Sequence, residues 1–281
     1  DSALIRAGAH HDEFLNNIFK DGGGFQMTEA CVGGSRFDCY VSHLWVHGNT
    51  FLRLAAGGGC PSGSISEGGD SVRIGYPFRT CGSRNPDANC TEGKNHHITV
   101  GDNLIEYGGH TTFDSYGTNI VIKDNIFHNE PWYRENNSGC APNFPPNYSN
   151  SDYNGKYSHR NFQISDDFQR DGIYSLIEGN RFGHAGVNPN NNGADNLDLA
   201  APKNIVRFNY LYNAMQNGLM FKYGGSGAGG SGGINNRVYS NTLFHNGYGY
   251  PYFESCRLSV CPGFLAGIHF YYWDTTTGNV I

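Results

Sequence analysis

The residues of this sequence that best suit acid–base chemistry by type are Lys222, Asp198, Arg73 and His110. A lysine or histidine can accept a proton, and an arginine can neutralise a carboxylate so that the proton on the neighbouring carbon becomes acidic. Because this combination would break a uronate-containing glycan by β-elimination, we predict these four side chains to be catalytic. A carboxylate beside Lys222 would raise the pKa of its ammonium group and weaken it as a base, so an ordinary Lys222–Asp198 ion pair is the alternative interpretation.

Further polar side chains stand at matching places in similar segments of the chain. A row of such groups along a groove suits a linear polymer, since successive units of the polymer then meet equivalent side chains. The residues predicted to contact the substrate are Arg36, Asp114, Gln163, His269 and Tyr271.

Two acidic residues of the segment GADNLD, Asp195 and Asp198, are the candidate ligands for a metal ion. Carboxylate oxygens are the ligands that calcium prefers in proteins. The segment matches no calcium-loop signature, and aspartates also cap turns and bends. Calcium is therefore the one cofactor that the sequence suggests, with turn capping as the alternative role of these residues.

A repeat carries these residues and runs through nearly the whole chain. Residues 113–127, FDSYGTNIVIKDNIF, share their outline with residues 37–51, FDCYVSHLWVHGNTF. The shortest distance between equivalent asparagines is 22 residues, from Asn103 to Asn125. A period of about 20 to 30 residues is typical of a solenoid. The asparagines that mark the repeat are Asn17, Asn49, Asn103, Asn125, Asn180, Asn209 and Asn241.

The alternation of apolar and polar residues within each repeat predicts strands, because successive side chains of a strand point to opposite faces. Each repeat holds two or three short strands joined by Asn and Gly bends and then restarts, whereas an antiparallel meander would need tight hairpins. We therefore predict an all-β fold, a right-handed parallel β-helix solenoid of about eight coils with loop insertions, as a single domain over residues 1–281. Both ends of the chain fall inside the repeat pattern, so we expect a fragment of a longer protein.

One strand of each repeat provides the predicted polar face. The aligned segments are residues 2–6, 34–38, 71–75, 110–114, 161–165, 196–200, 218–222 and 267–271. Their second and fourth positions are mostly apolar and are predicted to point inward. The residues predicted to point outward at the third position are Arg36, Arg73, Thr112, Gln163, Asp198, Met220 and His269. Those predicted to point outward at the fifth position are Arg6, Asp38, Asp114, Ser165, Lys222 and Tyr271. Such a face is by default a solvated surface, but charged groups beside long insertions favour a functional cleft.

The motif N-x-(F/I) after an alternating strand, as in IVIKDNIF at residues 120–127, resembles the repeats of right-handed parallel β-helix proteins. These include pectate lyases, alginate lyases, chondroitinase B and polygalacturonases, and the resemblance implies their fold and a polysaccharide partner. Residues 191–225 also resemble uncharacterised secreted β-helix proteins, and SVRIG at residues 71–75 resembles a strand of the alginate lyase and chondroitinase B group. The Asn-Thr-Asp and Gly-His-Gly motifs of polygalacturonases do not occur in the sequence.

Composition limits the partners and the location. A net charge of −6 disfavours nucleic acid, and without a run of about 18 apolar residues we expect no membrane insertion. Eight cysteines lie mostly in Gly, Pro and Asn-rich insertions without zinc-site spacing, which favours disulfides and a secreted or cell-surface protein. The sequence leaves the oligomeric state open.

The sequence thus favours a carbohydrate-active protein, most concretely a lyase that cleaves an acidic glycan. The first alternative is a non-enzymatic structural, fibre or adhesin module, because the same solenoid serves both purposes. The second is a glycoside hydrolase, for which Asp166 with Asp167 and Asp195 with Asp198 are the candidate carboxylate pairs. A catalytic face would gather its charged residues in one cleft, whereas a spacer would spread them around the coil.

Overall fold

The chain was analysed as a computed structural model. It describes residues 3–5, 9–27, 40–54, 70–75, 95–106, 108, 111–129, 160–165, 173–185, 195–214, 216–222, 233–247, 267–270 and 278–281. These ranges contain 22 short β-strands, numbered here in chain order, and no helix. Nothing in the described ranges could therefore cross a membrane as a long apolar helix.

Three parallel sheets contain all of these strands. The first has the order β1 (Ala3–Ile5), β4 (Phe25–Met27), β7 (Asp70–Ile74), β10 (Thr111–Ser115), β13 (Arg160–Ser165), β16 (Leu197–Ala200), β19 (Leu219–Phe221) and β22 (Ile268–Phe270). The second has the order β2 (Glu13–Leu15), β5 (Trp45–His47), β8 (Thr99–Gly101), β11 (Val121–Lys123), β14 (Leu176–Glu178), β17 (Ile205–Arg207) and β20 (Arg237–Tyr239). The third has the order β3 (Ile18–Lys20), β6 (Thr50–Leu52), β9 (Leu104–Glu106), β12 (Ile126–His128), β15 (Arg181–Gly183), β18 (Tyr210–Tyr212) and β21 (Thr242–Phe244).

The order of the strands identifies the architecture. Neighbours in every sheet are three strands apart in the chain, so the chain visits the three sheets in turn and then begins the next coil. All of the strand pairs are parallel, for example β11 with β14 and β12 with β15. The chain is a parallel β-helix, which confirms the predicted all-β solenoid.

The bend between the second and third sheets is built from the seven predicted asparagines. From Asn17 onward, each backbone N–H donates to the side-chain Oδ1 of the asparagine in the next coil, at 2.9–3.0 Å. The residue before each asparagine has a positive φ of 54° to 69°, a conformation that turns the chain sharply. The asparagines recur in the sequence because they form this ladder.

Stacked aromatic and aliphatic side chains fill the space between the sheets. Phe127 lies 4.7 Å from Phe182 in the next coil, measured between ring centroids, and the two rings are parallel to within 10°. The predicted inward positions of β7, β13, β16 and β19 are buried. Phe270 was also predicted to point inward, and it stacks on Phe221 at 4.6 Å, but 39% of it is exposed because β22 is the last described strand of its sheet.

The strand pairing corrects the predicted alignment at β10. Asp114 pairs with Arg73 and with Gln163, so it belongs to the central outward row, and Thr112 belongs to the neighbouring one. The alignment predicted the reverse, a slip of two residues. A two-residue slip leaves the same side chains inward and outward, so the alternation in the sequence could not detect it.

A second correction concerns the strand between β1 and β7. The alignment predicted residues 34–38, which include Arg36, at this place, but Phe25–Met27 pairs with both neighbouring strands. Phe25 and Met27 are both fully buried, so this strand fills two inward positions, where residues 34–38 offer one large apolar side chain, Phe37. Residues 34–38 lie outside the described residues, as do all eight cysteines, and the disulfides stay a prediction.

Candidate functional site

The outward face of the first sheet carries a continuous row of paired side chains. Strands in a sheet are about 4.8 Å apart, so the row extends over about 29 Å. Its members, in spatial order, are Gln26, Arg73, Asp114, Gln163, Asp198, Met220 and His269. A surface of this length suits an extended ligand.

Acidic and basic side chains of this face differ in their exposure. Asp114 and Asp198 are buried, at 2% and 0% exposure. The partly exposed members are Gln26, Arg73, Gln163 and His269 of the row and Lys222 beside it. All five can donate hydrogen bonds, so the described part of this face presents donors to an incoming molecule and keeps its carboxylates beneath them.

Lys222 and Asp198 form the ion pair that the sequence suggested. Lys222 directly follows β19, and its Nζ lies 3.6 Å from Oδ2 of Asp198 on the adjacent strand β16. The carboxylate is fully buried and the lysine side chain is 26% exposed. A buried carboxylate favours the charged form of a neighbouring ammonium group, so Lys222 as placed is suited to neutralising an anion.

His269 lies on β22, next to Met220 and therefore one strand beyond Lys222. Burial lowers the pKa of His269, and the carboxylate of Asp198 raises it by a smaller amount. The net shift is downward, so the imidazole is neutral at neutral pH and one of its nitrogens can accept a proton. This histidine, predicted as a substrate-binding residue, has the electrostatics of a base.

Arg73 lies farther along the same face. It forms an ion pair with Asp70, whose carboxylate is buried. Burial acts to lower the pKa of Arg73, but the carboxylates of Asp70 and Asp114 outweigh it and raise the pKa. Three strand spacings separate Arg73 from Asp198 in the row, about 14 Å, so Arg73 is not part of the Lys222–Asp198 pair.

Asp70 was missed in the sequence analysis, although an acid three residues before an arginine was a visible signal. Three predicted site residues, Arg36, His110 and Tyr271, lie outside the described residues, and so do Asp166 and Asp167 of the hydrolase alternative. Their roles stay predictions.

Asp195, the other candidate calcium ligand, is hydrogen-bonded to Asn217. Its Oδ1 accepts hydrogen bonds from the backbone N–H and the side-chain Nδ2 of Asn217, at 3.0 and 2.7 Å. Over the described ranges, no group of three or more His, Cys, Asp or Glu residues is arranged to hold a metal ion. The role of Asp195 and Asp198 as calcium ligands stays a prediction.

Comparison with known proteins shows similarity to a solved structure and to no described family. No protein-family model and no curated protein matches the chain. Among solved structures, the chain is similar to an alginate lyase from Paenibacillus sp. str. FPU-7, with 10% sequence identity and a TM-score of 0.41. The match covers 85% of this chain and 66% of the other, so the chain spans just under two thirds of that protein. The β-helix architecture rests on the strand pairing described above.

Proposed function

We propose that this protein binds an acidic, uronate-containing polysaccharide along the outward face of the first sheet and cleaves it by β-elimination. The observation that supports this is the separation of charge on that face. The accessible groups are the donors Gln26, Arg73, Gln163, Lys222 and His269, while the carboxylates of Asp114 and Asp198 are buried below them. An anionic polymer bound there would contact hydrogen-bond donors and positive charges.

The proposed roles follow from the protonation states. In β-elimination a base removes the proton on the carbon beside the uronate carboxylate, a carbon–carbon double bond forms, and the bond to the leaving glycosidic oxygen breaks. His269, neutral because burial lowers its pKa, is the proposed base. Lys222, charged beside Asp198, is the proposed group that neutralises the uronate carboxylate, and the leaving oxygen takes its proton from solvent.

This assignment changes the role predicted for Lys222 from base to neutralising charge, because an ammonium paired with a carboxylate gives up its proton reluctantly. Asp198 then acts as a positioning residue that holds Lys222. Arg73, at the far part of the row, is the proposed anchor for a uronate several units along the polymer. The neighbouring Gln163 contacts the sugar between them.

The test is the ultraviolet absorbance of the unsaturated product after incubation with polygalacturonate, alginate and chondroitin, each with calcium and with a chelator. Replacing His269 by Gln should lower the rate by about 100-fold or more, the contribution typical of a general base. Lys222→Met should lower it by a comparable factor. Lys20→Met is the matched control, since Lys20 is exposed on β3 of the third sheet, away from this face.

The pH profile provides a second readout. The lowered pKa of His269 keeps the base neutral below its ordinary value, so activity should persist into mildly acidic solution and fall when His269 becomes protonated. Full activity in His269→Gln would refute the assigned base. Binding without any cleavage would favour the adhesin or structural module, and new reducing ends without ultraviolet absorbance would favour hydrolysis.

A further inference from the structure

Five histidines, His10, His11, His43, His96 and His97, form a cluster that we call the histidine ridge. It lies at the bend between the first and second sheets, on three successive coils. The rings of His11, His43 and His97 stack with centroids 4.9 and 5.1 Å apart and planes parallel to within 7° and 4°. The ridge therefore presents one imidazole edge per coil at regular spacing.

The other two histidines complete the ridge from the side. Nδ1 of His10 lies 3.1 Å from Nδ1 of His11, and Nδ1 of His96 lies 2.6 Å from Nδ1 of His97. The ring of His96 also meets that of His43 edge to face at 5.5 Å. Each ring thus has another imidazole as a direct neighbour, and all five except His96 are exposed.

The backbone of the bend does not require histidine. His11, His43 and His97 have positive φ values of 61°, 54° and 54°, and the following coils place Asn119 and Tyr174 at the same point with φ of 55° and 57°. Asparagine adopts this conformation readily. Since the ridge points away from the core, packing does not demand imidazoles there either.

Burial and repulsion between imidazoles lower the pKa of two histidines of the ridge. The pKa of His43 is lowered by partial burial and then by His11, His97 and His10. The pKa of His96 is lowered by burial and then by His97 and His43. His43 and His96 are consequently neutral at neutral pH, and protonation of the ridge places several positive charges about 5 Å apart.

Few opposite charges among the described residues are placed to offset this positive charge. Asp12 and Glu13 follow His11 in the chain, but Oε1 of Glu13 is engaged by Nε2 of His47 at 2.6 Å. Tyr40, which contacts the ring of His96 at 4.9 Å, brings an aromatic ring and no carboxylate. An external anion is therefore the natural partner of the protonated ridge.

We propose that the histidine ridge is a second, acid-activated binding surface for a linear acidic polysaccharide. A polymer with one carboxylate per sugar supplies negative charges in a line, and it relieves the repulsion between imidazolium groups. Beyond the ridge the same bend continues to Asn119, Tyr174 and Lys203, which can donate to sugar hydroxyl and carboxylate groups. The chain carries a net charge of −6, so as a whole it repels a polyanion. A locally positive surface such as the protonated ridge attracts one.

The choice of ligand rests on the proposed function, but the test measures binding and not cleavage, so the two can fail separately. Binding of alginate oligosaccharides is measured by calorimetry in a His269→Gln background, which prevents cleavage. With the ridge intact, affinity should be at least about tenfold higher near pH 5.5 than near pH 7.5, since histidine gains its charge between these values. A triple variant, His11→Asn, His43→Asn and His97→Asn, should lose this difference.

The matched control is His245→Asn. His245 also has a positive φ, of 50°, and is exposed, but it lies at another bend, where its Nδ1 is 2.9 Å from Oδ1 of Asn213. It should keep the full pH effect. Persistence of the effect in the triple variant would overturn the proposal, and equal binding of single-stranded DNA by the intact ridge would overturn the assignment to a glycan.

A direct readout in the unaltered protein is an NMR titration of the imidazole groups. The oligosaccharide should raise the pKa of the ridge histidines, and unchanged titration curves would also overturn the proposal.

Discussion

Replacing Asn125 by alanine tests whether the asparagine ladder holds the coils together. Oδ1 of Asn125 accepts hydrogen bonds from the backbone N–H and Nδ2 of Asn103, at 3.0 and 2.9 Å. Its own Nδ2 donates to the carbonyl of Val100 at 2.9 Å and to Oδ1 of Asn180 at 3.0 Å. The residue is fully buried, so water cannot replace these four bonds without opening the structure.

The size of the effect follows from the groups that lose a partner. The buried N–H of Asn103 is left unsatisfied, which costs about 1–3 kcal/mol, and each remaining bond contributes about 0.5–1.5 kcal/mol. Because neighbouring groups can partly relax, we expect Asn125→Ala to lower the free energy of unfolding by about 3–5 kcal/mol. This is a large part of the about 5–15 kcal/mol typical of a whole domain.

Asn17→Ala is the matched control, since Asn17 is the first member of the same ladder. Its side chain is exposed and donates one bond, from Nδ2 to Oδ1 of Asn49 at 3.1 Å. The loss should be below about 1 kcal/mol. Both variants are compared with the parent by urea unfolding at neutral pH. Equal shifts of the two midpoints would refute the idea that burial within the ladder, and not asparagine itself, provides the stability.

Three further predictions concern packing and pH. Phe182→Ala should lower the free energy of unfolding, measured in urea, by about 3–5 kcal/mol, because the ring is buried. A loss below about 1 kcal/mol would contradict the stacked core. Gly183→Ala should lower the free energy of unfolding by about 1–3 kcal/mol, since a β-carbon there would overlap the ring of Tyr212. When Tyr212 is also replaced by alanine, the added methyl group should destabilise the protein less. Additive effects of the two substitutions would argue against the overlap. The folded state lowers the pKa of His43 and of His96, so below about pH 6.5 the unfolded chain binds more protons than the folded chain. The urea concentration at the unfolding midpoint should therefore fall as the solution is acidified through this value. His43→Asn should weaken this pH dependence, and an unchanged slope would contradict the repulsion.

The repeat and the core could be predicted from the sequence because each has a local cause. The asparagine of each coil must follow a residue with positive φ and must bond to its equivalent, so type and spacing are both constrained. Inward positions such as Val72 and Ile74 must be apolar because they are fully buried. These constraints act within one coil and are visible as a pattern in a single sequence.

The site could be predicted only in part because its arrangement depends on register and on burial. The Lys222–Asp198 pair was foreseen, since the two residues fall one coil apart. The place of Asp114 was not, because a two-residue slip preserves the alternation of the strand. That Asp198 is buried while Lys222 and His269 stay accessible depends on contacts with neighbouring coils, which no periodicity in the strand itself encodes.

The two proposed surfaces occupy positions that the fold leaves free. The central outward row has Asp198 in one coil and Met220 in the next, and the bend of the histidine ridge has His97 in one coil and Asn119 in the next. The same backbone thus accepts an acid or an apolar residue, and an imidazole or an amide, in adjacent coils. Because the ladder and the core fix each coil independently of these positions, charged and imidazole groups gathered there are not explained by folding. Substitutions at those positions can therefore separate binding and catalysis from stability.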